Sequence, residues 1–86
     1  MNGRIEMDKL TLARLMEIIG ECSGETTELT AEIEDTSFET LGYDSLALLE
    51  TASRLERDYG VRLDDDEVME AKTPRLLLLL VNDTLS

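Results

Sequence analysis

LGYDSLALLE, residues 41–50, passes from turn chemistry to helix chemistry within a few positions, and its reading decides the fold. Asp44 is a suitable N-cap, because its carboxylate accepts from the exposed N–H groups of a first helical turn. Tyr43 stands before the cap and can pack on Leu48 as a hydrophobic staple. A helix over residues 44–59 follows, and Gly60 supplies the left-handed stop at its end. At 100° per residue, Leu48, Ala52, Leu55 and Tyr59 share one face of this helix. Leu46, Glu50, Ser53 and Arg57 fall on the other, so Leu46 is an apolar side chain where solvent is expected.

Working outward, Leu12, Leu15, Met16, Ile19 and Cys22 recur at spacings of three and four and predict a first helix over residues 8–22. Residues 1–7 read as a flexible lead-in to a single domain over 8–86. Residues 23–43 have no sustained periodicity and predict a long loop. Its scattered apolar residues Leu29, Ile33, Phe38 and Leu41 are expected to pin it across the helices, with a short helical turn near residues 37–40. Beyond Gly60, Asp64, Asp65, Asp66 and Glu67 favour the start of a short third helix reaching residue 71. These acids do not make an EF-hand, because the fifth position is Val68 and the required glycine is missing. Thr73 as N-cap and Pro74 at the first helical position open a last helix through residue 85. The sequence therefore reads as all-α, with four helices.

Eighty-six residues suit one small domain, which buries roughly 60–65% of its unfolded surface. Only Phe38, Tyr43 and Tyr59 are aromatic, so aliphatic side chains must fill the core. Twenty acidic against eight basic residues give a net charge of -12, which repels phosphate backbones and anionic membranes, so neither nucleic acid nor membrane is an expected partner. The longest apolar run, residues 76–81, falls far short of the ~20 needed to span a bilayer. Cys22 is the sole cysteine and the chain contains no histidine, so neither a disulfide nor a zinc set is expected. Cys22 falls on the apolar face of the first helix and reads as a buried thiol in a cytoplasmic, monomeric protein.

Ser45 lacks what a catalytic nucleophile needs. No histidine is present to take its proton, and Gly42-Tyr43-Asp44-Ser45-Leu46 is not a G-x-S-x-G elbow. Two readings stand on physical grounds: Asp44-Ser45 is only a helix cap, or Ser45 is modified by another protein. A phosphate ester at the first turn would meet free N–H groups and the positive end of the helix dipole.

The stretch Leu41 to Glu50 resembles the prosthetic-group site of acyl carrier proteins, in which Asp-Ser-Leu is common. Ala47-Leu48-Leu49-Glu50, Arg54-Leu55-Glu56, Tyr59-Gly60-Val61, Asp65-Asp66 and Thr73-Pro74-Arg75 narrow the resemblance to the carriers of aromatic, type II polyketide synthases. Ala47 stands where fatty-acid carriers usually have an acid. The resemblance covers residues 8–86 and includes Cys22-Ser23-Gly24-Glu25. It implies a four-helix bundle of the acyl-carrier-protein type with a long loop between helices one and two. It also implies a 4′-phosphopantetheine arm moved from coenzyme A to Ser45 by a separate phosphopantetheinyl transferase, with Asp44 supporting attachment. The arm's thiol would then hold acetyl, malonyl and growing polyketide groups.

The partners so implied are a malonyl acyltransferase, a ketosynthase/chain-length factor, a ketoreductase and an aromatase/cyclase. Leu46 with Glu50 and Glu56 forms the expected partner surface, an apolar contact beside acids that suit basic patches. The consecutive leucines 76–80 cover the whole wheel of the last helix, which raises the expectation of a cleft between helices two and four, with Arg75 and Asn82 offering hydrogen-bond donors to polyketide carbonyls at its edge. A carrier of fatty-acid or amino-acyl intermediates, and an unmodified acidic interaction module, remain open at this point.

Overall fold

A computed structural model describes residues 9–24, 30 and 32–85. Four α-helices are present among them: α1 Leu12–Ser23, α2 Ser45–Tyr59, α3 Asp65–Glu70 and α4 Pro74–Leu85. Among the described residues, one 3₁₀ turn, Ile33–Asp35, lies in the connection between α1 and α2. No strand occurs among the described residues. The expected lead-in, residues 1–7, and Leu29 lie outside the described residues.

The helix ends follow local chemistry. Thr11 caps α1, its hydroxyl accepting from the Arg14 N–H at 3.2 Å, and Gly24 closes the other end. The start expected at residue 8 is thus corrected to residue 12, since Leu10 lies outside the helix as a buried, non-helical residue. Asp44 caps α2 and Gly60, at φ +70°, ends it, as the sequence reading requires. Asp64 caps α3 by accepting from Asp66 N–H at 2.8 Å, with Asp65, Asp66 and Glu67 stabilising the positive end of the helix. Thr73 accepts from Leu76 N–H at 3.3 Å at the start of α4.

The core is aliphatic. Leu15, Met16, Ile18 and Ile19 of α1 are buried with Ala47, Leu48, Ala52 and Leu55 of α2, Val68 of α3, and Leu77 and Val81 of α4. Ile18 joins this face beyond the expected set, while Leu12 and Cys22 sit half-buried at its margin. In the α1–α2 connection Ile33 and Phe38 are fully buried and Leu41 is half-buried, so the loop is pinned by its scattered apolar residues. Phe38 and Tyr43 meet edge-on, ring centroids 6.5 Å apart, a favoured aromatic geometry. The helical turn expected near residues 37–40 is present, with Leu41 N–H donating to the Ser37 carbonyl at 3.0 Å. The 3₁₀ turn at Ile33–Asp35 is an additional element.

The packing order sets which helices face one another. α2 packs on α1 and α3, whereas α4 packs on α1, α3 and the 3₁₀ turn. α2 and α4 are not tightly packed on one another, so the space expected between them is not closed by direct helix contact. Leu77 is buried, Leu78 and Leu80 are half-buried, and Leu76 and Leu79 face outward, which is how five consecutive leucines are accommodated on one helix.

Candidate functional site

The segment leading into α2 is held by a relay of backbone hydrogen bonds. Phe38 N–H donates to the Lys72 carbonyl at 2.8 Å, and the Phe38 carbonyl accepts from Tyr43 N–H at 2.9 Å. Gly42 makes this return possible, because its φ of +94° is a conformation that side chains rarely tolerate. Asp44 then turns the chain into the helix, with Oδ1 accepting from Ala47 N–H at 2.9 Å.

Ser45 is the first residue of α2 and is exposed. Its hydroxyl has no partner among the described residues. The first-turn amides of Ala47 and Leu48 are taken by Asp44, through its side chain and its carbonyl. Those of Ser45 and Leu46 have no described partner, so two N–H groups and the positive helix end remain for an anion on Ser45. This donor set fits a phosphodiester: an accessible hydroxyl, unclaimed amides beside it and a fixed backbone beneath it. Glu39 and Asp44 stand near, but among the described residues no cluster of acids, cysteines or histidines could hold a metal ion.

Beside Ser45 lies an open cleft of about 540 Å³. Phe38, Tyr43, Leu48 and Met69 form its apolar wall, and Lys72 lies at its edge. It is bounded by α2, the preceding segment and α3, so the seam adjacent to Ser45 lies toward α3 rather than α4.

The remaining sequence-predicted residues divide by partner. Leu46, 63% exposed, and Glu50 project outward one turn apart on α2, as expected. Glu56 is half-buried, and its Oε2 accepts from Leu63 N–H at 2.7 Å, which ties the α2–α3 connection to α2. Its carboxylate thus has a structural task, where the sequence reading gave it only a docking one.

Arg75 and Asn82 each have partners within the fold. The Arg75 guanidinium donates from Nε to Asp35 Oδ1 at 2.7 Å, and from Nη2 to Asp35 Oδ2 and Glu34 Oε1, each at 3.2 Å. It clamps α4 to the 3₁₀ turn, and this hydrogen bonding holds the Asp35 carboxyl below the usual carboxylate range. Asn82 bonds to the backbone of Leu10 on both sides, accepting from its N–H at 2.7 Å and donating to its carbonyl at 3.0 Å. In the unloaded protein the polar groups of these two residues, expected from the sequence to face an acyl chain, fasten the two ends of α4 to the rest of the fold. Lys72 was missed in the sequence, although its place one residue before Thr73-Pro74 was a signal that it would sit at a fixed helix start.

A helical bundle that fixes one accessible hydroxyl at a helix start, without a histidine to activate it, is a mounting for a covalent group: the carrier class. Residues 13–81 match the family described as a phosphopantetheine attachment site. The chain is 50% identical over 82 residues to the oxytetracycline polyketide synthase acyl carrier protein of Streptomyces rimosus, covering 93% of this chain and 86% of the relative. It is 53% identical over 78 residues to the granaticin polyketide synthase acyl carrier protein of Streptomyces violaceoruber, covering 88% and 92%. The solved structure of the actinorhodin holo acyl carrier protein from S. coelicolor superposes with a TM-score of 0.80 at 48% identity, covering 90% of this chain and 92% of that one. The chain belongs to the phosphopantetheine-attachment family and, within it, to the acyl carrier proteins of polyketide synthases. It is a non-catalytic carrier whose prosthetic group is phosphopantetheine, and it works with synthase enzymes and a phosphopantetheinyl transferase.

Proposed function

We propose that this chain carries acetyl, malonyl and growing polyketide groups as thioesters among the enzymes of a type II polyketide synthase, on an arm attached to Ser45. The observation that carries the assignment of Ser45 is its exposed hydroxyl at the first position of α2, beside two amides with no described partner. The arm's terminal thiol supplies the thioester chemistry when bound. The protein's own residues anchor and present it. Asp44 fixes the first helical turn, and the relay from Lys72 through Phe38 to Tyr43 holds the approach to it. Among similar solved structures are the acetyl and malonyl forms of the actinorhodin acyl carrier protein, which supports cargo of the same classes here.

Leu46 and Glu50 form the face offered to partners, with Glu56 at its margin. The transferase, a malonyl acyltransferase, the ketosynthase/chain-length factor, a ketoreductase and an aromatase/cyclase would each read this face. An apolar centre ringed by acids suits enzymes with basic rims. The functional unit is residues 8–86, acting as a monomer in the cytoplasm.

Intact-protein mass spectrometry after incubation with coenzyme A and a broad-specificity phosphopantetheinyl transferase tests the assignment. The wild type is expected to gain one arm. Ser45→Ala is expected to gain none while keeping its helicity, because Asp44 and not Ser45 caps α2. A wild type left unmodified by a transferase that modifies another carrier would remove Ser45 from the mechanism.

A further inference from the structure

Lys72 is the one cation lining the cleft beside Ser45 among the described residues. Four of the five described arginines, 14, 54, 57 and 75, lie within 4.0 Å of a carboxylate, as suits a chain of net charge -12; Arg62 is in no such pair but does not line this cleft. Lys72 is exposed and makes no ion pair with a described residue, although Glu39 and Asp44 line the same cleft. Its backbone is not free to drift: its carbonyl accepts from Phe38 N–H at 2.8 Å, and Phe38 in turn holds Tyr43, two residues before Ser45. The cation is thus registered to the attachment point by main-chain hydrogen bonds, with no acid neutralising it.

We propose that Lys72 is an anion-positioning residue for the phosphodiester on Ser45, drawing the base of the arm along the cleft toward α3. This rests on the assignment of Ser45 above. An anion on Ser45 would otherwise stand beside Glu39 and Asp44 with only the helix end to offset them. The ammonium group, on a four-carbon stem, supplies a point charge within the same cleft. The contact orients the arm and takes no part in bond making.

The test uses the full chain, with arm attachment verified by intact mass. The Lys72 side-chain titration is followed by NMR in the apo, phosphopantetheinylated, acetylated and malonylated protein, together with the phosphorus resonance of the arm. Attachment of the arm alone is expected to raise the Lys72 midpoint by ~0.5 pH unit at low salt, with most of the shift lost as salt is added. Loading with acetate or malonate is expected to add little. Lys72→Met in the phosphopantetheinylated protein is expected to move the phosphorus resonance and abolish its salt dependence, whereas Lys72→Arg retains both.

An unmoved Lys72 midpoint on a protein whose mass shows the arm overturns this inference and leaves the attachment site intact. A midpoint that moves only on malonylation overturns it too, assigning Lys72 to the cargo's carboxylate. A protein whose mass shows no arm overturns both readings.

Discussion

Asn82, near the end of α4, holds both backbone groups of Leu10, 72 positions earlier in the chain. A backbone residue with its N–H and carbonyl satisfied by one side-chain amide is equivalent to a short strand pairing, and it seats Leu10 in the core just before α1 begins. Asn82→Ala leaves both groups unmatched in a partly buried setting. The expected loss is ~1–2 kcal/mol by urea denaturation, with faster hydrogen exchange at the Leu10 amide. Asn82→Asp keeps an acceptor for the N–H but sets a carboxylate against the carbonyl, so it is expected to be the worse of the two at neutral pH.

The clamp between Arg75 and Asp35 makes part of the stability depend on acid. The Arg75 guanidinium holds the Asp35 carboxyl below its ordinary range, so the carboxylate is favoured in the folded state. A depressed folded value gives stability that is present above the unfolded carboxylate range and lost as pH falls through the folded value. Arg75→Met is therefore expected to lower Tm at pH 7, with the gap to wild type closing as the pH is taken down through that range. Because both proteins lose the same general acid repulsion, the difference between their melting curves isolates the clamp. A gap that persists unchanged into acid would show that Arg75 acts through packing.

Glu56 separates folding from docking. Glu56→Gln keeps an oxygen for the Leu63 amide and removes the charge, whereas Glu56→Ala removes both. Only the alanine variant is expected to lose stability, by ~1–2 kcal/mol, and to expose the Leu63 amide to exchange. If the charge is also read by partners, Glu56→Gln slows acyl transfer to the ketosynthase without a change in Tm. Leu46→Asp and Glu50→Lys, on the outward face, are expected to slow transfer while stability moves within ~0.5 kcal/mol. Unchanged transfer in all of these variants would place docking elsewhere on the bundle.

Thr51 is fully buried on α2, and its hydroxyl has no hydrogen-bond partner. A buried polar group without a partner opposes folding, and a methyl group of the same shape does not. Thr51→Val is expected to raise stability by ~1 kcal/mol in denaturant titrations. A loss instead would reveal a water or arm contact to this hydroxyl.

The limits of helices α2, α3 and α4 were legible because caps are local: Asp44, Gly60, Asp64 and Thr73 each act within a few residues of themselves. The start of α1 was set four residues early because apolar spacing marks no beginning, whereas the backbone of Leu10 is held outside the helix by Asn82 on α4. The same distinction explains the site. Ser45, Leu46 and Glu50 follow from one helical wheel, whereas the partners of Arg75 and Asn82 lie 40 and 72 residues away and leave no periodic trace. Glu56 was placed correctly at the margin of its face, but its bond to Leu63 depends on the path of the chain after Gly60.

If partners dock on Leu46, its size bounds what that contact adds to the length of an encounter. Burying a leucine side chain fully yields ~1.5–3 kcal/mol, and at 63% exposure most of that gain is still outstanding, worth about one decade of affinity. Differences of that size fall mainly on dissociation, so one leucine lengthens a dwell time by about tenfold. A shuttle that serves several stations is limited by its slowest departure. A larger apolar face beside Ser45 would dock more tightly at every station and hold up the line at each of them, so one outward leucine on α2 favours throughput over grip.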